Sequence, residues 1–137
     1  MASSAVYAAV KGLLEASWAT TPLAFENENF TRNGGPFVML EISGTLYGQQ
    51  SIGAGSGQAN RWDEEGVIYL HIMVPTGTGA MDARNYAKSL ANIFRGTTLL
   101  GDNLEFMDAS IGMGDLADEE GIYWRITLTV DWRYIEA

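Results

Sequence analysis

VIYLHIMVPTGTGAMDARNYAKSLANIF, residues 67–94, decides the fold. Val67, Tyr69, His71 and Met73 share one face and Ile68, Leu70, Ile72 and Val74 the other, which is the two-residue period of a strand. Pro75 then removes a ladder donor, and Gly77 and Gly79 permit a sharp reversal. From Ala80 the period lengthens. Ala83, Ala87, Leu90, Ala91 and Phe94 fall on one helical stripe, flanked by Tyr86 and Ile93. Gly96 stands where a C-terminal cap would close that helix, next to Arg95 at the negative end of its dipole. A strand feeding a helix in this way predicts a helix laid across one face of a sheet.

Upstream, Ser3 or Ser4 caps a first helix running to about Trp18. Val6, Val10, Leu13 and Leu14 make its apolar stripe, Lys11 and Glu15 form an outer i, i+4 pair, and Gly12 weakens it. Thr20-Thr21-Pro22 ends it, Leu23-Ala24-Phe25 is a short extended piece, and residues 26–36 read as a polar loop. Residues 37–43 are a strand. The glycine-rich residues 45–60 read as a protruding hairpin arm, with strand character near Leu46-Tyr47 and again from Arg61. Such a sequence carries a large ordering entropy, which predicts mobility in the isolated chain. Pairing resumes at Trp62 and, past the acidic stretch 63–66, enters the organising strand.

Downstream, residues 97–100 are a short strand, 101–103 a turn, 104–111 a strand and 112–121 an acidic loop. Residues 122–133 alternate strictly, Ile/Trp/Ile/Leu/Val/Trp on one face and Tyr/Arg/Thr/Thr/Asp/Arg on the other. At about 3.3 Å per residue that strand would reach roughly 40 Å. The order predicts an α+β fold, a mostly antiparallel twisted sheet with two helices packed on it, as one domain over residues 1–137.

Composition bounds the function. Hydrophobic residues make up 47% of the chain, as in ordinary globular proteins. The absence of cysteine excludes disulfides, thiolate metal sites and Cys nucleophiles, and disfavours a small secreted scaffold. No apolar run approaches the roughly 18 residues of a membrane helix, so no membrane association is expected. Lys11 and Glu15 interrupt the apolar part of the N-terminus, which argues against a signal peptide; the sequon at Asn29 is then chance. The net charge of −9, from 17 acidic and 8 basic residues, repels phosphate backbones and argues against tight nonspecific DNA binding.

No catalytic constellation emerges. His71 is the only histidine and sits mid-strand, where a structural role is expected. Gly55-Ser56-Gly57 lacks nucleophile-elbow spacing. Gly77-Thr78-Gly79 begins a dinucleotide fingerprint, but Asp82 occupies the third glycine position and would repel a pyrophosphate. The acidic runs at 63–65 and 115–120 lack EF-hand spacing and read as solvated loops, the sharper alternative being a divalent-ion or Arg-lined contact with a neighbouring subunit. Trp62, Trp124, Trp132, Tyr123 and Tyr134 read as core and sheet-face packing, with some at a subunit interface. The expectation is no enzyme, no cofactor and no metal, and features that suit an assembly component.

The ordered set of motifs resembles the tail terminator (tail-completion) family of long-tailed phages and phage-like gene transfer particles. A strand ending in V-P-x-G-x-G, residues 66–79, leads to a helix carrying Ala83, Ala87, Leu90 and Phe94, then Arg95 and Gly96. PLAFENENF at 22–30, GPFVMLEI at 35–42, the glycine-rich arm and YWRITLTVDWRY at 123–134 stand in that family's order. Phe25 occupies a place where either type of aromatic occurs.

The resemblance implies a hexameric ring that caps the finished tail tube, ends its polymerisation and presents a surface to the head–tail connector. DNA would pass through without sequence-specific binding, in a particle assembled in the host cytoplasm. The expected partners are further copies of the chain, the tail tube protein and a neck protein. Candidate contacts with the tube or an adjacent subunit are Tyr47, Gln49, Gln50, Ile52, Gly53, Gly55, Gln58, Asn60 and Arg61 in the arm. Tyr123, Arg125, Asp131 and Arg133, read as an exposed face of the last strand, complete the set. Two other readings stand beside this one: another phage neck or tail-tube component, and a small-molecule-binding α+β module.

Overall fold

The computed structural model describes residues 2–49, 51, 61–116 and 121–136. Helix α1 (Ser4–Ser17) precedes β1 (Leu23–Ala24), β2 (Phe37–Gln49) and β3 (Trp62–Pro75). Helix α2 (Met81–Phe94) follows, then β4 (Thr98–Leu99), β5 (Leu104–Ile111), β6 (Asp115–Leu116) and β7 (Tyr123–Glu136). The strands form one mixed sheet in the order β1-β2-β3-β7-β5-β4, with β6 paired to β7. Only β1 and β2 run parallel. The α+β class and the largely antiparallel pairing follow the sequence reading; the arm at 45–60 lies mostly outside the described residues.

The centre of the sheet is the register Leu40↔Leu70↔Leu128, flanked by Val38↔Ile72↔Ile126 and Ile42↔Ile68↔Val130. These rows share the face that both helices cover. Val6, Val10 and Leu14 of α1 and Ala83, Ala87, Leu90 and Phe94 of α2 complete one apolar core with them. Each fully buried Leu or Ile contributes about 1.5–3 kcal/mol over its exposed state. Ala83 and Ala87, both fully buried, present only a methyl group to the sheet, which lets α2 lie close over β3, β5 and β7. Gly96 takes a φ of +69° just past the helix end, the left-handed conformation expected of a C-terminal cap glycine.

Several local expectations change. The acidic stretch 63–66 is not a loop: β3 runs through it unbroken, and Asp63 and Glu64 are buried. The 112–121 segment contains β6, so it is not wholly a loop. Lys11 donates to Glu28 at 2.8 Å, while Glu15 supplies only a longer-range attraction. Tyr123 does not lie on an exposed face. It is 2% exposed and packs with Phe37, Met73 and Ala24, and its hydroxyl donates to the Gly35 carbonyl at 3.1 Å. Phe30 meets Phe37 at 4.8 Å between ring centroids, so the 26–36 loop covers that end of the otherwise open sheet face.

Candidate assembly interface

The sheet face away from the helices carries an arginine–carboxylate cluster at each of its two ends. At one end β2 and β3 stay paired, past a bulge between Gly44 and Leu46, out to Gln49↔Trp62, beside Glu136 of β7. There, on the side of the sheet that Glu64 and the helices occupy, the Tyr47 hydroxyl donates to Glu136 at 2.8 Å, and its ring lies 5.3 Å from that of Trp62. The hydrogen bond to Glu136 raises the Tyr47 pKa above its ordinary value. Ser51 Oγ accepts the Arg61 N–H at 2.7 Å.

Asp63 joins this end of the molecule together. Arg61 grips both of its carboxylate oxygens, at 3.0 and 3.1 Å, and Arg133 donates twice to Oδ2, at 2.9 and 2.5 Å. Arg133 also reaches Glu65 at 3.8 Å. The Asp63 side chain is wholly buried although both guanidinium groups keep some contact with water. Hydrogen bonding from Arg61, with Arg133 adding to it, holds its carboxyl below the usual range against the opposing effect of burial. On the opposite face Glu64 accepts the Ser3 N–H at 2.9 Å. A strand residue thus does for the start of α1 what a capping-box glutamate does from within a helix.

At the other end Arg125 makes a two-pronged pair with Asp115, at 3.1 and 2.8 Å, which holds β6 against β7. The pair is exposed, so solvent screens it and its contribution to stability is small. Asp131 is half-buried between the two ends, opposite Val67. The structure therefore separates the predicted contact residues. Tyr47 and Gln49 lie at one end on the helix side of the sheet, Arg61 and Arg133 meet at Asp63 on the other face of that end, Arg125 lies at the opposite end, and Tyr123 is core. Gln50, Ile52, Gly53, Gly55, Gln58 and Asn60 lie outside the described residues. Sequence reasoning missed Asp63, Glu64 and Asp115. The available signal was that the two-residue alternation of β3 can be extended back to Trp62, with arginines at 61 and 133 able to meet the buried carboxylate.

His71 also sits on the open face. Nε2 lies 2.9 Å from Glu41 and Nδ1 2.8 Å from the Thr127 hydroxyl. Because an ionised carboxylate only accepts, Nε2 carries the proton, and in the neutral ring Nδ1 accepts from Thr127. The order hydroxyl–imidazole–carboxylate is that of a hydrolytic triad, set here in the middle of the sheet. His71 and Thr127 face each other within the β3–β7 ladder, whose amides are engaged in pairing, and the Thr127 carbonyl takes the Gly112 N–H. Among the described residues no group of carboxylates and histidine could hold a metal ion.

Burial pushes the His71 pKa down, with the Glu41 carboxylate opposing that and Arg125 adding to it. A histidine harder to protonate when folded contributes full stability above its unfolded value of about 6.5 and loses it as pH falls from there toward the folded pKa. His71→Gln should lower the melting temperature slightly at pH 7.5 and flatten its decline between pH 7 and 5. Melting curves of both proteins across that range test this; an unchanged slope would show that His71 titrates alike in both states.

A family model described as phage tail terminator protein matches residues 5–132, from the first turn of α1 into the end of β7. A solved structure aligns with a TM-score of 0.60, over 93% of this chain and 96% of its own, at 18% identity, a likeness of fold alone. No curated protein matches the chain.

Proposed function

The chain belongs to the phage tail terminator family, a structural component of phage tails, and from that premise we propose that it forms a ring on the end of the tail tube. The ring ends tube polymerisation and offers its free surface to the head–tail connector, in the neck region of the virion. The observation that carries this reading is the family match over nearly the whole fold, including both helices and the central strands. A hexamer assembled head to tail from one domain of 137 residues is the proposed form. Its acidic balance keeps passing DNA from adhering.

The tube or neighbour contact is assigned to residues 47–61. The Asp63 cluster anchors the base of that segment to the last strand, where Asp131 and Arg133 lie on the same face as Arg125. Electron microscopy of particles from a producing strain lacking the gene tests the function. The expected result is tails of uncontrolled length, separate from DNA-filled heads. Normal joined particles would discard the reading, and filled heads with no tails would move the protein to the tube. Deleting residues 53–57 should leave the melting temperature within a few degrees of wild type while abolishing attachment to tails; normal attachment would remove the arm from the interface.

A further inference from the structure

The basic residues of this acidic chain are unevenly used. Lys11, Arg61, Arg125 and Arg133 each pair with a carboxylate. Arg84, Lys88 and Arg95 make no ion pair among the described residues; Arg84 and Lys88 stand exposed on α2 and Arg95 just past its end. Lys88 and Arg95 border a groove of about 450 Å³ between α2 and β5. Its floor includes Phe94 and Phe106, whose rings meet edge to face at 4.9 Å. The β5 irregularity between Phe106 and Ala109 turns Met107 outward, 50% exposed, onto the groove wall; Asp108 is the carboxylate there.

A matching projection lies elsewhere on the same chain. Met113 is 90% exposed and Leu116 58%, on either side of Asp115, and the sequence continues with Asp118, Glu119 and Glu120. An apolar pair followed in the sequence by three carboxylates complements an apolar floor bordered by two cations. It cannot serve its own groove. β6 is held at Asp115↔Arg125 and Leu116↔Trp124, whereas the groove reaches β7 at Val130. Five or six residues along β7 separate them, roughly 17–20 Å at about 3.3 Å per residue.

We propose that the α2–β5 groove receives residues 113–116 of a second copy of this chain. The contact joins two different surfaces, so each copy keeps one of each for the next neighbour and the arrangement propagates into a closed ring or a filament. A phosphate backbone would match the basic rim but leave the apolar floor unused, which favours the protein segment. The inference rests on the ring reading above and names one of its contacts.

Mixing two defective proteins tests it. Met113→Asp spoils the projection and leaves the groove; the Lys88→Glu/Arg95→Glu double variant does the reverse. All of these side chains are exposed, and circular dichroism checks that both proteins fold. By sedimentation velocity each alone should stay monomeric where wild type assembles, with self-association weakened at least about tenfold. An equimolar mixture retains one good contact per pair and should give two-chain species and nothing larger. A mixture that stays monomeric, a variant that assembles like wild type, or a wild-type protein monomeric even on tail tubes would overturn the contact. So would loss of duplex DNA retention in the double variant with assembly unchanged. Intact rings from the variants would leave the terminator reading standing, because that reading fails only on the particle phenotype.

Discussion

Gly66→Ala should produce little or no soluble protein, or a loss of at least about 3 kcal/mol, the severe end of what overpacking costs. A Cβ at this position would lie 1.9 Å from the Ser43 carbonyl oxygen and 2.7 Å from the Trp132 indole. Gly66 pairs with Gly44 on one side and Trp132 on the other, in the middle of the two longest ladders. The carbonyl belongs to paired backbone and Trp132 is fully buried, so neither can yield without disturbing the core. Adding Trp132→Phe should restore little, since it clears the ring contact and leaves the carbonyl clash. Gly12→Ala is the internal control: nothing lies within 4 Å of its added Cβ, and in a helix interior the change should stabilise by roughly 0.5–1 kcal/mol. Thermal melts of the three proteins decide the matter; a Gly66→Ala protein melting near wild type would show that β2 can shift freely against β3.

Asp63→Ala should cost about 2–3 kcal/mol, or roughly 10 °C in melting temperature for a chain of this size. Removing one member of a wholly buried pair costs more, about 3–5 kcal/mol, but here water can reach both arginines and solvate them once the carboxylate is gone. The effect depends on pH in a defined direction. The Asp63 carboxyl titrates lower folded than unfolded, so its contribution is complete above the ordinary aspartate value and lost as pH falls through the folded one. Wild type and variant should therefore converge in stability as pH falls below the ordinary aspartate value through the lower folded one. Arg133→Met combined with Asp63→Ala should cost less than the sum of the single changes, because the second substitution removes a charge the first had already stranded. Additive losses would mean that Arg61 alone satisfies the carboxylate.

The strands at 37–43, 67–74, 104–111 and 122–133 and the helix at 81–94 were legible because side-chain period is a local property. Alternation or a 3.6-residue repeat can be read without knowing what lies opposite. The acidic stretch at 63–65 was not legible as strand. Three consecutive carboxylates read as solvated unless a counter-charge is supplied, and the counter-charge for Asp63 comes partly from Arg133, 70 residues away. Tyr123 was misplaced for a related reason. Its alternation put it correctly on the face away from the helices, but the 26–36 loop folds over that end and buries it.

By itself the sequence determined the kinds of elements, their order, the face of each that enters the core and the absence of thiol chemistry. It also carried the ordered motifs of the tail terminator family. Only the tertiary structure decided which charges are spent inside the chain and which are not. Arg61 and Arg133 are consumed by one buried carboxylate, Arg125 by Asp115, while Lys88 and Arg95 border an unfilled groove. Charge pairing depends on distance in space, and the sheet brings together residues that the linear chain holds far apart.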